Sequence, residues 1–189
     1  MSVPTLLSLL GVLCWVAYEL LLRRRADAAA GTWHADRRDR GSTRLLLGCY
    51  CTSALVVVLF DRGSIGQLPA WARWFGVATV AVGLALRAWG MRTLGAYYTR
   101  TLRTVDTQRV VRTGPYRLIR HPGYAGSLLV WIGYALGTDS WAAALVVAAL
   151  LSAAYGWRIA AEERLLLDSF GNEYAEYRRV SKRLVPFVY

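Results

Sequence analysis

YAGSLLVWIGYALGTDSWAAALVVAALLSAAYGW, residues Tyr124–Trp157, decides the fold. Two apolar runs, Tyr124–Leu136 and Trp141–Trp157, are parted only by Gly137-Thr138-Asp139-Ser140. Gly, Asp and Ser in succession form turns, so the stretch predicts a tight helical hairpin. Each run is shorter than the roughly 20 apolar residues that cross a hydrocarbon core, and flanking Trp and Tyr complete the ends at the interface. Toward the amino end lie three further apolar runs, Val3–Leu22, Leu45–Phe60 and, roughly, Trp74–Trp89. Of the 189 residues, 56% are hydrophobic, yet the formal charge is +11, and Trp and Tyr are abundant. This combination reads as an integral membrane protein. The fold class expected is all-α, a polytopic bundle of about five transmembrane helices in a single domain over residues 1–189.

The charges give an orientation. Seven arginines from Arg23 to Arg44 lie between the first and second runs, and seven more from Arg92 to Arg120 lie between the third and fourth. Arg158, Arg164, Arg178, Arg179, Lys182 and Arg183 follow the fifth, whereas the opposite side holds only Arg62 and Arg73, with Arg87 inside the third run. The positive-inside rule puts the amino terminus outside and the carboxyl terminus in the cytoplasm, in the inner or plasma membrane. Topology accounts for the basic excess, so no nucleic-acid partner is expected, and attraction to anionic membrane lipids follows from the same charge. The uncharged start Met1-Ser2-Val3-Pro4, with arginines after the run, does not fit a cleaved signal peptide, so the first helix is expected to be retained. Cys14, Cys49 and Cys51 lie within apolar runs without His or carboxylate companions. They predict buried structural thiols and neither disulfides nor a metal site. Ala142–Ala154 is Ala-rich, as where helices pack closely.

Chemistry concentrates in two places. In Gly114–Gly126 (GPYRLIRHPGYAG), a turn, two arginines, His121 and two tyrosines meet the start of the fourth run. Pro122 at the first helical position fixes a helix start, leaving backbone N–H groups that attract an anion. A cap with snorkelling Arg120 and interfacial Tyr116 and Tyr124 is the plainer alternative. His34, in an Arg- and Asp-rich connector, reads as a solvated loop residue. The second cluster is Arg158, Glu162 and Glu163. Arg158 and Glu162 share a helix face, while Glu163 is turned about 100° away. An exposed ion pair there contributes only about 0.3–0.5 kcal/mol, but ionisable groups facing a bundle interior are a functional-site hypothesis.

Gly114-Pro115-Tyr116, Arg120-His121-Pro122-Gly123-Tyr124-Ala125-Gly126, Arg158, Glu162-Glu163, Phe170-Gly171-Asn172-Glu173-Tyr174, Tyr177 and Pro186 together resemble the isoprenylcysteine carboxyl methyltransferase family over the last hundred or so residues. The resemblance implies an S-adenosylmethionine-dependent methyltransferase, releasing S-adenosylhomocysteine, with residues 1–90 as amino-terminal helices and 91–189 as the catalytic region. It also implies a cytoplasmic cofactor site closed by a carboxyl-terminal helical segment. By position, cofactor binding falls on Gln108, Arg109, Val110, Val111, Tyr116, His121, Pro122, Gly123, Tyr124 and Glu162. The substrate-side catalytic arginine falls on Arg158. Gln108 stands where the family commonly has histidine. The partner implied is a lipophilic or lipid-anchored substrate, most simply a carboxylate, which is ionised at neutral pH and needs no general base. Open alternatives are a phospholipid amine or phenolic-lipid acceptor, an NADPH-dependent sterol or enone reductase, and a non-enzymatic scaffold. Oligomeric state is not readable, since small-residue faces serve packing within and between chains alike.

Overall fold

The computed structural model describes residues 1–29, 42–95 and 110–185. Gln108, Arg109, His34 and Pro186 lie outside them. Among these residues six helices follow in chain order: α1 (Val3–Ala29), α2 (Ser42–Arg62), α3 (Arg73–Leu94), α4 (Pro122–Gly137), α5 (Trp141–Phe170) and α6 (Asn172–Val180), with a 3₁₀ turn at Gly114–Arg117 before α4. No strand forms among the described residues, only isolated bridges at Gln67–Ser140 and Ile119–Lys182. The fold is thus an all-α membrane bundle.

Four helices, α1, α2, α3 and α5, are long and apolar enough to cross a membrane. The helix of the fourth run, α4, has 16 residues and rises about 24 Å, short of the roughly 30 Å hydrocarbon core. It is the interior helix, packed by α1, α3 and α5, with Val130, Trp131, Ala135 and Gly137 buried. The exposed apolar side chains belong instead to the outer helices, as Leu6, Leu13, Leu55, Val82 and Leu145 show. Trp71, Trp74 and Trp141 at one end, and Trp89 and Trp157 toward the other, are at least half exposed, the pattern of aromatic belts at two interfaces. Cys49 is buried as expected, but Cys14 and Cys51 are exposed. That part of the thiol expectation fails, because an apolar run does not say which of its faces is inward.

The hairpin turn closes on itself. Asp139 takes a positive φ of 105°, and its carboxylate accepts from Leu68 N–H at 2.7 Å and pairs with Arg73. Ser140 caps α5, accepting from Ala143 N–H at 3.0 Å while its hydroxyl donates to Ile65 O at 2.6 Å. These contacts tie the α2–α3 connection to the α4–α5 turn, at the end opposite the charged clusters.

The tightest seam runs between α3 and α4. Gly76, Gly83 and Gly90 recur every seven residues on α3 and face Gly133, Gly126 and Pro122, respectively, on α4. A Cβ at Gly83 would stand 2.6 Å from Gly126 O, and one at Gly133 2.6 Å from Gly76 O. Bare backbone lets the helices approach this closely, as small residues do in membrane bundles. Gly133→Val is therefore expected to cost about 1–3 kcal/mol or more through overpacking. The thermal midpoint in detergent reads it; Ala148→Val on α5, outside the seam, is the control and should change little.

Candidate active site

The entrance of α4 is built by local rules. Gly114 has φ 57°, open to glycine at low cost, and Pro115 starts the 3₁₀ turn that buries Tyr116. Pro122 then occupies the first helical position of α4 and packs over Gly90. The N–H groups here are already partly engaged: His121 donates to Arg183 O at 3.1 Å, and Tyr124 and Ala125 both return to His121 O at 3.1 Å. The His121 side chain does not cap the helix. It is buried, and its ring stacks on Tyr124 at 5.7 Å, which stacks on Tyr155 at 5.1 Å.

Tyr124 joins the two clusters. Its phenol donates to Glu162 Oε2 at 2.7 Å and accepts from Arg158 Nε at 3.3 Å. His121, Tyr124, Arg158 and Glu162 thus meet where α4 enters the bundle and α5 leaves it. Arg158 is buried, whereas the Glu162 side chain keeps 30% of its surface and can meet a ligand. The plainer reading of Tyr116 and Tyr124 as interfacial aromatics does not hold, since Tyr116 is buried and Tyr124 is bonded inward. Val110 and Val111 pack against a second small core of Tyr116, Tyr174 and Tyr177. Gly123 presents its carbonyl to Arg87 at 2.8 Å.

Glu163 has a role that sequence reasoning missed. Turned away from Glu162, it is 4% exposed and gathers Arg120 at 2.8 Å, Arg183 at 3.3 Å, His121 Nε2 at 3.5 Å and Arg178 at 3.8 Å. Arg120 also donates to Arg178 O at 3.3 Å and to Ser181 O. The chain after α6 then runs beside residues 118–121, Arg120 N–H donating to Lys182 O at 2.7 Å and Lys182 N–H to Leu118 O at 2.9 Å. One buried carboxylate therefore clamps the carboxyl-terminal segment onto the α4 entrance. The signal was present as Arg178, Arg179, Lys182 and Arg183, a basic group that needs a counter-charge.

A second missed group lies behind the site. Arg87 of α3 pairs with Glu19 of α1, lies 5.7 Å above the Trp15 ring, and donates to Ser127 Oγ at 2.7 Å as well as to Gly123 O. Trp15 Nε1 also donates to Ser127 Oγ, at 3.0 Å. Two charges inside apolar runs are costly unless paired, and here they fix the first turn of α4, which carries His121 and Tyr124. On α6, burial pushes the Tyr177 hydroxyl up to about 12, and burial, then Glu163, raise that of Tyr174 well above its ordinary range. Both stay protonated donors at neutral pH. Tyr177 donates to Tyr116 O at 2.7 Å.

The phospholipid methyltransferase family model matches residues 71–173. Protein-S-isoprenylcysteine O-methyltransferase B of Arabidopsis thaliana is 29% identical over 154 residues, covering 78% of each chain. A probable protein-S-isoprenylcysteine O-methyltransferase of Oryza sativa subsp. indica is 31% identical over 167 residues, covering 84% of this chain and 87% of its own. The fold resembles the solved eukaryotic intramembrane Ras methyltransferase, isoprenylcysteine carboxyl methyltransferase, with TM-score 0.64 at 21% identity, over 76% of this chain but only 52% of that one. With the family model matching more than half of its length, and with a relative 31% identical over most of both chains, the chain belongs to the membrane methyltransferase family that these phospholipid and isoprenylcysteine enzymes represent.

Proposed function

We propose that the protein transfers a methyl group from S-adenosylmethionine to the carboxylate of a lipophilic, isoprenylcysteine-like acceptor. The observation that carries this reading is the Tyr124 bridge, which sets a partly open carboxylate, Glu162, and a buried guanidinium, Arg158, on one phenol. The residues suit the cofactor: Glu162 has surface left for an ammonium or ribose hydroxyls, and buried His121 stands beside it, Nδ1 3.9 Å from Glu162 Oε1. Gln108, Arg109, Val110, Val111, Tyr116, Pro122, Gly123 and Tyr124 complete the proposed cofactor-binding set. Bound S-adenosylmethionine supplies an activated methyl group on a sulfonium, so the protein's task is alignment. Arg158 is suited to orient a carboxylate through paired N–H donors. No proton need move, which fits a cluster whose imidazole already faces Glu163.

The acceptor's tail lies in the hydrocarbon, and the charged end of the bundle faces the cytoplasm, as the arginine distribution supports. Binding tests the reading against its reductase alternative. Purified protein is expected to bind S-adenosylhomocysteine at micromolar or lower concentration by calorimetry and to ignore NADPH. NADPH binding without S-adenosylhomocysteine binding overturns it.

A further inference from the structure

Tyr155, on α5, is fully buried and stands three residues before Arg158 and seven before Glu162, a spacing that puts all three on one helix face. Its ring stacks on Tyr124 at 5.1 Å, and its hydroxyl shares a 2.8 Å hydrogen bond with that of Tyr50 on α2. Tyr50 is placed in turn by α4 and α1, stacking on Trp131 at 5.5 Å and meeting Trp15 edge to face at 4.9 Å. A leucine would fill such a place without burying a hydroxyl. A tyrosine needs a partner there, and this one finds it on another helix.

The Tyr124 phenol tolerates little displacement. Arg158 Nε reaches it at 3.3 Å, already at the long end for such a bond, while Glu162 Oε2 accepts from it at 2.7 Å. The hydroxyl sits at the far end of the ring from the backbone, so a small turn about the Cα–Cβ bond removes it from one partner or the other. Arg87 holds the first turn of α4 through Gly123 O. That contact acts on the backbone and leaves the rotation of the ring to its neighbours.

We propose that Tyr155 is a positioning residue for methyl transfer: its ring, tied to α2 through Tyr50, keeps the Tyr124 phenol where it meets both Arg158 and Glu162. The guanidinium that orients the acceptor is thereby set in place by a helix outside the charged cluster. This deepens the methyl-transfer reading and rests on it.

The test compares Tyr155→Met with Tyr155→Phe in the full chain in detergent, assayed well below the thermal midpoint so that only folded protein counts. Methionine fills the space without a flat face to stack on, whereas phenylalanine keeps that face. Tyr155→Met should lower kcat/KM for an S-prenylated cysteine about tenfold or more, the effect of one hydrogen bond to a charged group. Tyr155→Phe, which gives up only the bond to Tyr50, should recover it to within about threefold. In a Tyr124→Phe background, which has no phenol to place, Tyr155→Met should cost little more. An unchanged kcat/KM in Tyr155→Met overturns the proposal, as does an equal loss in both backgrounds, the mark of a residue that only fills the core. If Tyr155→Met does not fold, Tyr50→Phe decides. It unties the ring from α2 and should lower kcat/KM about threefold, and no change overturns the proposal. Absence of S-adenosylhomocysteine binding in the unaltered protein would instead sink the methyl-transfer reading, while a protein that binds and methylates yet fails this pattern loses only the positioning role.

Discussion

Glu163→Gln should destabilise the protein by about 3–5 kcal/mol, the usual cost of breaking a buried ion pair from one side. Most of this belongs to the Arg120 contact, where the side chains are only 7% and 4% exposed. Arg178 and Arg183 keep about a third of their surface, so water screens them and their share is small. The change is also directional. Glutamine leaves Arg120 buried and uncompensated, and Arg120 holds Ser181 and the backbone of Arg178. The segment after α6 should detach from residues 118–121 first. Limited proteolysis reads this as early cleavage near Lys182 and Arg183, before the helical bundle is cut. An unchanged thermal midpoint with an unchanged cleavage order would show that the clamp does not hold the segment.

Arg158→Lys should lower kcat/KM for a carboxylate acceptor by roughly 10²-fold, the scale of losing one preorganised donor to a reacting group. Lysine keeps the charge but not the planar fork, so bidentate orientation is lost. Glu162 keeps its bond from Tyr124, and S-adenosylhomocysteine affinity should stay within about twofold if that carboxylate serves the cofactor. Steady-state transfer assays, with calorimetry in parallel, check both numbers. A loss of cofactor affinity equal to the loss of rate would move Arg158 to the cofactor side.

The helices were legible because lipid solvation writes itself into composition. Tyr124–Leu136 became Pro122–Gly137, and Leu45–Phe60 became Ser42–Arg62. Hydropathy ended the fifth run at Trp157, yet α5 continues to Phe170. Apolar content marks where a helix leaves the bilayer, not where its hydrogen bonding stops. The Ala-rich Ala142–Ala154 stretch pointed to close packing, but the closest backbone approach falls on Gly83 and Gly126, and on Gly76 and Gly133. Which small residues meet is a matter of helix rotation, and no single helix reveals that.

The candidate site was legible in part. Its motifs showed that His121, Tyr124, Arg158 and Glu162 belong together, and the structure joins them through one phenol. Glu163 belongs to the second cluster by sequence but has no partner legible there; turned away from Glu162, it is aimed at Arg120 and Arg183. The Arg87–Glu19 pair spans α3 and α1, residues 68 positions apart, and pairing at that separation has no local sequence signature.

Membranes containing the protein, supplied with methyl-labelled S-adenosylmethionine and an S-prenylated cysteine, test the central claim most directly, through the base lability of the transferred label. Carboxyl methylation yields an ester that mild alkali releases as methanol, and this is the predicted result, abolished in Arg158→Ala. Label that survives alkali on a phospholipid headgroup amine, or no transferred label at all, would contradict it.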